Sequence, residues 1–427
     1  MSLMDFYKPE DFTLLKHADA AAFVILKKEL ARQKNGIELI ASENYVSPAV
    51  LQALATPFVN KYSEGYPGKR YYGGNQFVDM IENLAIERAK ALFNAKFANV
   101  QPYSGSPANL AVYFALVQPG DTIMGMELAS GGHLTHGFKV SFSGTYYKNV
   151  NYSVTKDGYL DYDEILKLAK KHKPKLIWAG GSAYPRKIDF KKFREIADKV
   201  GAYLAADISH IAGLVVTGHH QNPIEYAHVV TTTTHKTLRG PRGAIILTNH
   251  EEIAKKIDKA VFPGIQGGPH NNVTLAKAVA FAQALDNTFY KYIDQVVKNA
   301  AYMAQLMQER GFKVITGGTD NHLFLVDVTS HPEIKGLTGK IAQNVLEEVE
   351  ISINKNAIPH DPRKPWDPSG VRIGTPAITT RGFQQEHVKQ TVEFIVKALE
   401  NYQDASYLQK LKAQVKEFAS QFPLFAW

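Results

Sequence analysis

Two rhythms of apolar positions alternate along most of the chain. Apolar residues recurring every three or four positions predict helices over 79–93, 108–117, 161–172, 190–200 and 251–260. Between them, short β-branched and aliphatic runs predict strands over 122–126, 175–179, 203–206, 229–232 and 244–247. Strand and helix in turn imply an α/β fold with a mostly parallel sheet covered by helices. Upstream, 19–34 reads as an amphipathic helix with Ala22, Phe23, Leu26 and Leu30 on one face and an Asn35-Gly36 stop. Residues 37–75 carry no rhythm and are rich in Gly, Tyr, Ser and Pro. A structureless connection of that length is unusual, so the segment is expected to be functional or subunit-bridging. A long helical stretch over 273–297 leads into helix 298–310, strands 313–316 and 322–328, helix 339–349 and further helices from 385. The expected organisation is a helical arm (1–40), a large domain (41–297) and a smaller C-terminal α+β domain (298–427).

Composition narrows the class. With 427 residues, 45% of them hydrophobic, the chain can bury a large core in two or three units. No apolar run reaches membrane-spanning length, and residues 1–6 lack the basic-then-apolar pattern of a secretory signal. The absence of cysteine excludes disulfides, thiolate metal sites and a cysteine nucleophile, and is compatible with a cytoplasmic location. The net charge of +8 could favour an anionic ligand or nucleic acid. The basic residues are scattered, however, at solvated helix-like positions such as Lys170-Lys171 and Lys191-Lys192.

Candidate chemistry centres on Thr231-Thr232-Thr233-Thr234-His235-Lys236, which ends a β-branched run and precedes a Gly-Pro-Arg-Gly turn. A lysine held among hydroxyls at a strand end can act as a nucleophile, which suggests a Schiff base with pyridoxal phosphate. Ser104-Gly105-Ser106, ahead of a helix, offers a phosphate cup, although Ser and Pro also simply favour helix starts. Asp207 ends a strand, where a carboxylate could keep a pyridine nitrogen protonated or merely cap a turn. His133, in Gly131–Gly137, is suited to stacking on a cofactor ring. His136 could complete a metal pair or be structural, and no metal is expected without nearby carboxylates or cysteines. Arg372 alternates in a strand-like run and could grip a carboxylate or pair with a structural acid. Glu64 could equally be a surface acid paired with Lys61 or Lys69.

In this order, the motifs resemble the serine hydroxymethyltransferase family. Further matching stretches include Leu39–Asn44, Asn60–Gly74, Phe262–Pro269 and Gly317–Leu323. The resemblance implies the type I fold of pyridoxal-phosphate-dependent transferases, with a mostly parallel, mixed seven-stranded sheet. It implies transfer of a one-carbon unit from L-serine to tetrahydrofolate, giving glycine and 5,10-methylenetetrahydrofolate, with folate-independent aldol cleavage as a side activity. It assigns Lys236 to the cofactor's covalent anchor, Asp207 to the pyridine nitrogen, His133 to ring stacking and Ser104, Gly105, Ser106 and His235 to the phosphate. Ser182, Thr234 and His210 would line the cofactor pocket. Ser42 and Arg372 would hold the substrate carboxylate, and Glu64 would move a proton near the substrate hydroxyl. In a homodimer or dimer of dimers, Tyr62, Gly267 and Gly268 would reach the neighbour's cofactor phosphate, with Glu64 and Tyr72 also acting across the interface. Tyr71, Leu128, Gly132, Leu134, Asn356, Lys364, Pro365 and Trp366 would meet folate. One departure is visible: Asn272 stands where the family usually has histidine, which bears on interface geometry. The rivals are a folate-independent aldolase on the same scaffold and a cofactor-holding or RNA-binding regulator. The latter needs a basic stripe interleaved with aromatics, which is not seen.

Overall fold

The computed structural model describes residues 12–424, so residues 1–6, where a secretory pattern was sought, lie outside the described residues. Two compact units emerge. One is Ala49–Asp294. The other joins the described chain up to Pro48 with the chain from Gln295 onward. The described N-terminal segment thus belongs to the same unit as the C-terminal residues.

The larger unit is built on seven strands: β1 (Phe97–Asn99), β2 (Thr122–Met126), β3 (Lys148–Tyr152), β4 (Leu176–Ala179), β5 (Tyr203–Asp207), β6 (Val229–Thr233) and β7 (Ala244–Thr248). Their order is β1-β7-β6-β5-β4-β2-β3. β7 runs antiparallel to both its neighbours, and the other pairs are parallel. β4, β6 and β7 are buried at every position, as expected of strands covered on both faces, which read as continuous apolar runs. β3 (Lys-Asn-Val-Asn-Tyr) is a half-exposed edge strand, and its polar residues hid it from the hydrophobic pattern.

Helix ends follow local chemistry. Asp161 accepts from the Asp163 and Glu164 amides to open Tyr162–His172, and Lys170, Lys171 and His172 close it, complementing the helix dipole. The single helix expected over 273–297 is two, Asn271–Ala284 and Asn287–Glu309. Asp286 accepts from the Thr288 amide and hydroxyl and starts the second helix, which runs on through 298 without a break. The segment 37–75 is also not structureless. It contains a short strand (Ile37–Glu38), a helix opened by Pro48 (Pro48–Leu54) and a hairpin (Gly65–Tyr66 with Lys69–Arg70).

The second unit contains an antiparallel sheet of β8 (Lys313–Val314), β9 (Leu323–Asp327), β10 (Asn354–Asn356) and β11 (Gly370–Gly374), ordered β8-β9-β11-β10. Ile37–Glu38 pairs in parallel with Ile351–Ser352, which draws the N-terminal segment into this unit. Phe324, Val326, Leu346, Phe383 and Val392 belong to its core.

Candidate active site

The parallel strands β5 and β6 bring their C-terminal ends to one edge of the sheet. Asp207, the last residue of β5, pairs with Thr231 of β6, and Lys236 follows β6 by three residues. A pocket opens there, lined by Gly105, His133, Ser182, Asp207, His210 and Lys236, among others. Open α/β sheets place ligands at this carboxyl-end position.

Asp207 is buried and fully partnered. Its Oδ1 accepts from the Ser209 amide (3.0 Å) and hydroxyl (2.6 Å). Its Oδ2 accepts from Asn109 Nδ2 (2.9 Å) and His136 Nε2 (3.1 Å). Burial opposes its ionisation. The hydrogen bond and charge of His136, then His133 and Ser209, outweigh that penalty and hold the carboxyl well below the usual carboxylate range. The expected anionic carboxylate is thus built into the fold.

His133 Nδ1 accepts from the Thr135 amide (3.2 Å) and lies 2.8 Å from Thr135 Oγ1. Burial, together with His136 and Lys236, pushes its imidazolium down to about 4 against the pull of Asp207, so the ring is neutral near pH 7. His136 stacks on Trp178 at 5.1 Å. His133, His136 and Asp207 present ligand-type atoms within 4.8 Å of one another, a spacing that a small cation could bridge. Asp207 meets four donors there, and His133 Nδ1 meets the Thr135 amide and hydroxyl.

The Lys236 Nζ donates to Thr233 Oγ1 at 2.8 Å. Thr234, expected at the pocket, faces away, and its buried hydroxyl donates to the Pro241 carbonyl at 2.6 Å. Thr231 and Thr233, two positions apart on β6, share the face that meets the helix Gly105–Leu116, whereas Thr234 lies beyond the strand's last residue. A Cβ at Gly105 would stand 2.8 Å from Thr233 Cγ2, so only glycine lets the first helical turn sit this close to the strand. Ser104 does not cap the helix with its side chain, and Ser106 is exposed in the first turn. His235 is driven down to about 3 by burial, then by Lys236 and Arg242, and its buried Nδ1 has no partner. An anionic ligand phosphate, an aldehyde at Lys236 and a ring nitrogen facing Asp207 fit this set of donors and charges.

Tyr62, Glu64, Gly267 and Gly268 form a separate cluster in the same unit. A Cβ at Gly268 would lie 3.2 Å from Tyr62 Cε1, and one at Gly267 would lie 3.1 Å from Glu64 Oε1. Arg70 anchors this loop: it donates to the Ser63 and Gly65 carbonyls and pairs with buried Glu82 at 2.7 Å. Glu64 makes no ion pair with Lys61 or Lys69 among the described residues, and Lys61 donates instead to the Tyr62 carbonyl. Tyr71, packed edge-on against Phe262, and Tyr72, packed against Tyr62, are both exposed, and Glu64 is half-buried. Asn272 Nδ2 donates to the Leu54 carbonyl at 2.8 Å. Leu128 and Leu134 are exposed on two 3₁₀ turns flanking Gly132.

In the second unit, Arg372 is buried on β11 and donates through Nε to Asn354 Oδ1 at 3.0 Å. Burial lowers it to about 10. The amide of Gly374 bonds the Leu39 carbonyl, and Ala41 packs on Gly374, which brings the chain at Ser42 beside β11. Asn356 lies on the neighbouring strand β10, opposite Gly370, and the Lys364 ammonium lies over exposed Trp366.

Sequence reasoning gave no role to Asn109, Thr135, Ser209 or Lys277. Lys277 is fully buried and donates to the Val100, Pro102 and Ala244 carbonyls (2.6, 3.1 and 2.9 Å). Its helical apolar neighbours carried no signal for this. The strand alternation of Thr231 and Thr233 did carry one for Thr233.

The mixed seven-stranded sheet is that of the pyridoxal-phosphate-dependent transferases of fold type I. The serine hydroxymethyltransferase family model matches residues 15–395 of the 427, and the chain belongs to that family. It is accordingly an enzyme of serine and glycine one-carbon transfer. Among the described residues, no helix is long and apolar enough to cross a membrane.

Proposed function

We propose that the enzyme moves the one-carbon unit of L-serine to tetrahydrofolate, leaving glycine and 5,10-methylenetetrahydrofolate, and that it also cleaves bulkier β-hydroxy amino acids without folate. The observation that carries this reading is the convergence of Lys236, neutral His133 and anionic Asp207 on one pocket at the sheet's carboxyl edge. Bound pyridoxal phosphate supplies an electron sink for the bond that breaks at the amino acid's α-carbon. Lys236 anchors it, and Asp207 holds the proton at the ring nitrogen. His133 offers a flat uncharged face, with Ser182 and His210 on the pocket wall. The first turn at Ser104, Gly105 and Ser106 takes the phosphate through helix N-terminal amides, and the unpartnered Nδ1 of His235 supports the same role.

Arg372, with Ser42, holds the substrate carboxylate. An arginine fork fixes that group in the plane needed to orient the breaking bond. Glu64 exchanges a proton at the serine hydroxyl or the folate amine. Tyr71, Leu128, Gly132, Leu134, Asn356 and Lys364–Trp366 receive folate. Tyr62, Tyr72, Gly267 and Gly268 serve the partner's site in a cytoplasmic homodimer or dimer of dimers. The test is serine cleavage by the pyridoxal-phosphate-loaded enzyme with and without tetrahydrofolate. Strong folate dependence supports the reading. Equal rates would favour a simple aldolase.

A further inference from the structure

Asn109 sits on the helix Gly105–Leu116, is fully buried and engages its whole amide. Its Oδ1 accepts from Thr231 Oγ1 at 2.7 Å. Its Nδ2 donates to Asp207 Oδ2 at 2.9 Å and to Thr135 Oγ1 at 2.8 Å. The orientation of the amide is not arbitrary, because an ionised carboxylate can only accept and so must face the nitrogen. The Thr135 hydroxyl, accepting from Asn109, has one hydrogen left, and its other close neighbour is His133 Nδ1 at 2.8 Å. Nδ1 also accepts from the Thr135 amide, so it carries no proton and the ring's hydrogen resides on Nε2.

We infer that Asn109 is a positioning residue of the transfer reaction, locking the Asp207 carboxylate and the His133 tautomer into one unit through a single amide. The inference rests on the reading that Asp207 and His133 face the cofactor ring. The helix that presents the phosphate cup also carries Asn109 one turn further on. The cup, the ring-nitrogen carboxylate and the ring-facing imidazole are therefore held from one element. An apolar side chain here would leave Asp207 short of a donor. An aspartate would place two carboxyls against each other, forcing a shared proton.

The test compares loaded enzymes carrying Asn109→Ala, Asn109→Asp and Thr135→Val, each also in an Asp207→Asn background. Asn109→Ala should lower kcat roughly 10- to 100-fold, the scale for groups that orient a ligand's immediate partners, with KM for serine changed by less than about threefold. In the Asp207→Asn background the same change should cost less than about twofold. Asn109→Asp should move the pH titration of the cofactor's visible absorbance by about one unit or more. Thr135→Val removes the hydroxyl that links Asn109 to His133 but keeps the backbone amide on Nδ1, so ¹⁵N spectra of labelled histidines should show the His133 Nδ1 resonance shifted with the hydrogen still on Nε2, and an unmoved Nδ1 resonance would overturn the link. This variant decides the case if Asn109→Ala does not fold. A folded Asn109→Ala enzyme with kcat within about twofold of wild type and an unmoved absorbance titration overturns the proposal, as do equal losses in both backgrounds. If Asp207→Asn alone retains full activity, the underlying reading of the site has failed instead.

Discussion

Tyr62 lies directly against Gly268: a Cβ there would stand 3.2 Å from Tyr62 Cε1, closer than ordinary van der Waals contact. Two segments some two hundred residues apart in sequence, both assigned to a neighbour's cofactor phosphate, thus form one cluster on one chain. Neither lines the pocket that holds Lys236. A cluster offered as a unit to a second chain predicts complementation. Inactive Lys236→Ala and inactive Tyr62→Ala chains, unfolded together and reassembled, should recover activity through heterodimers with one intact site. Failure to recover any activity would count against shared sites.

Arg372→Ala should weaken glycine and serine binding by about 2–5 kcal/mol while cofactor affinity changes little. Arg372→Lys should rescue poorly, because an ammonium cannot reproduce the planar fork. Titration of the loaded enzyme with glycine reads this directly. Unchanged glycine affinity would assign the carboxylate to another group.

Lys277 ties the chain before the phosphate cup, at Val100 and Pro102, to the start of β7 at Ala244. Burial lowers its ammonium to about 7, so its three bonds work against a desolvation cost. Lys277→Met removes a donor from three carbonyls, of which Pro102 keeps the Ala244 amide, and should cost about 3 kcal/mol of stability. Denaturant unfolding that showed equal or higher stability would mean that the cost of burying the ammonium exceeds the value of its bonds.

Three half-buried histidines set a pH dependence. Burial, the first cause in each case, lowers His133 and His228 to about 4 and His235 to about 3. In the unfolded chain they titrate near about 6.5, so below that pH the unfolded state binds protons that the folded state refuses. Their contribution is complete above about pH 6.5 and is lost as the pH falls through about 4. Asp207, also depressed, extends the loss at more acid pH. The Tm of the cofactor-free enzyme should fall between about pH 7 and about pH 5, and His235→Gln should flatten that slope. A Tm that holds or rises toward pH 5 would contradict these assignments.

Much of this arrangement was legible in the chain, for definable reasons. Strands buried on both faces announce themselves as apolar runs, so β2, β4, β5, β6 and β7 and the strand-end positions of Asp207 and Lys236 could be read directly. β3 could not, because an edge strand with one wet face keeps its lysine and asparagines. The helix break at Asp286 depended on one side chain bonding the next turn, which outweighed a continuous helical pattern. Within the site, residue type pointed to the lysine, the aspartate and His133. The partners that fix their protonation were invisible, since Asn109 and Thr135 acquire meaning only when helix and sheet bring them together. Thr233 is the last residue of β6 and Thr234 lies beyond it, and that single position decides which one meets the lysine.

Lys236, as proposed above, is the residue through which this enzyme holds its cofactor. Borohydride reduction of the loaded enzyme fixes pyridoxal phosphate covalently to its lysine, and peptide mass spectrometry then locates the added mass. The account predicts the mark on the peptide containing Lys236, with no mark and no visible cofactor band in Lys236→Ala. A mark on any other lysine, or a retained band in Lys236→Ala, would contradict it.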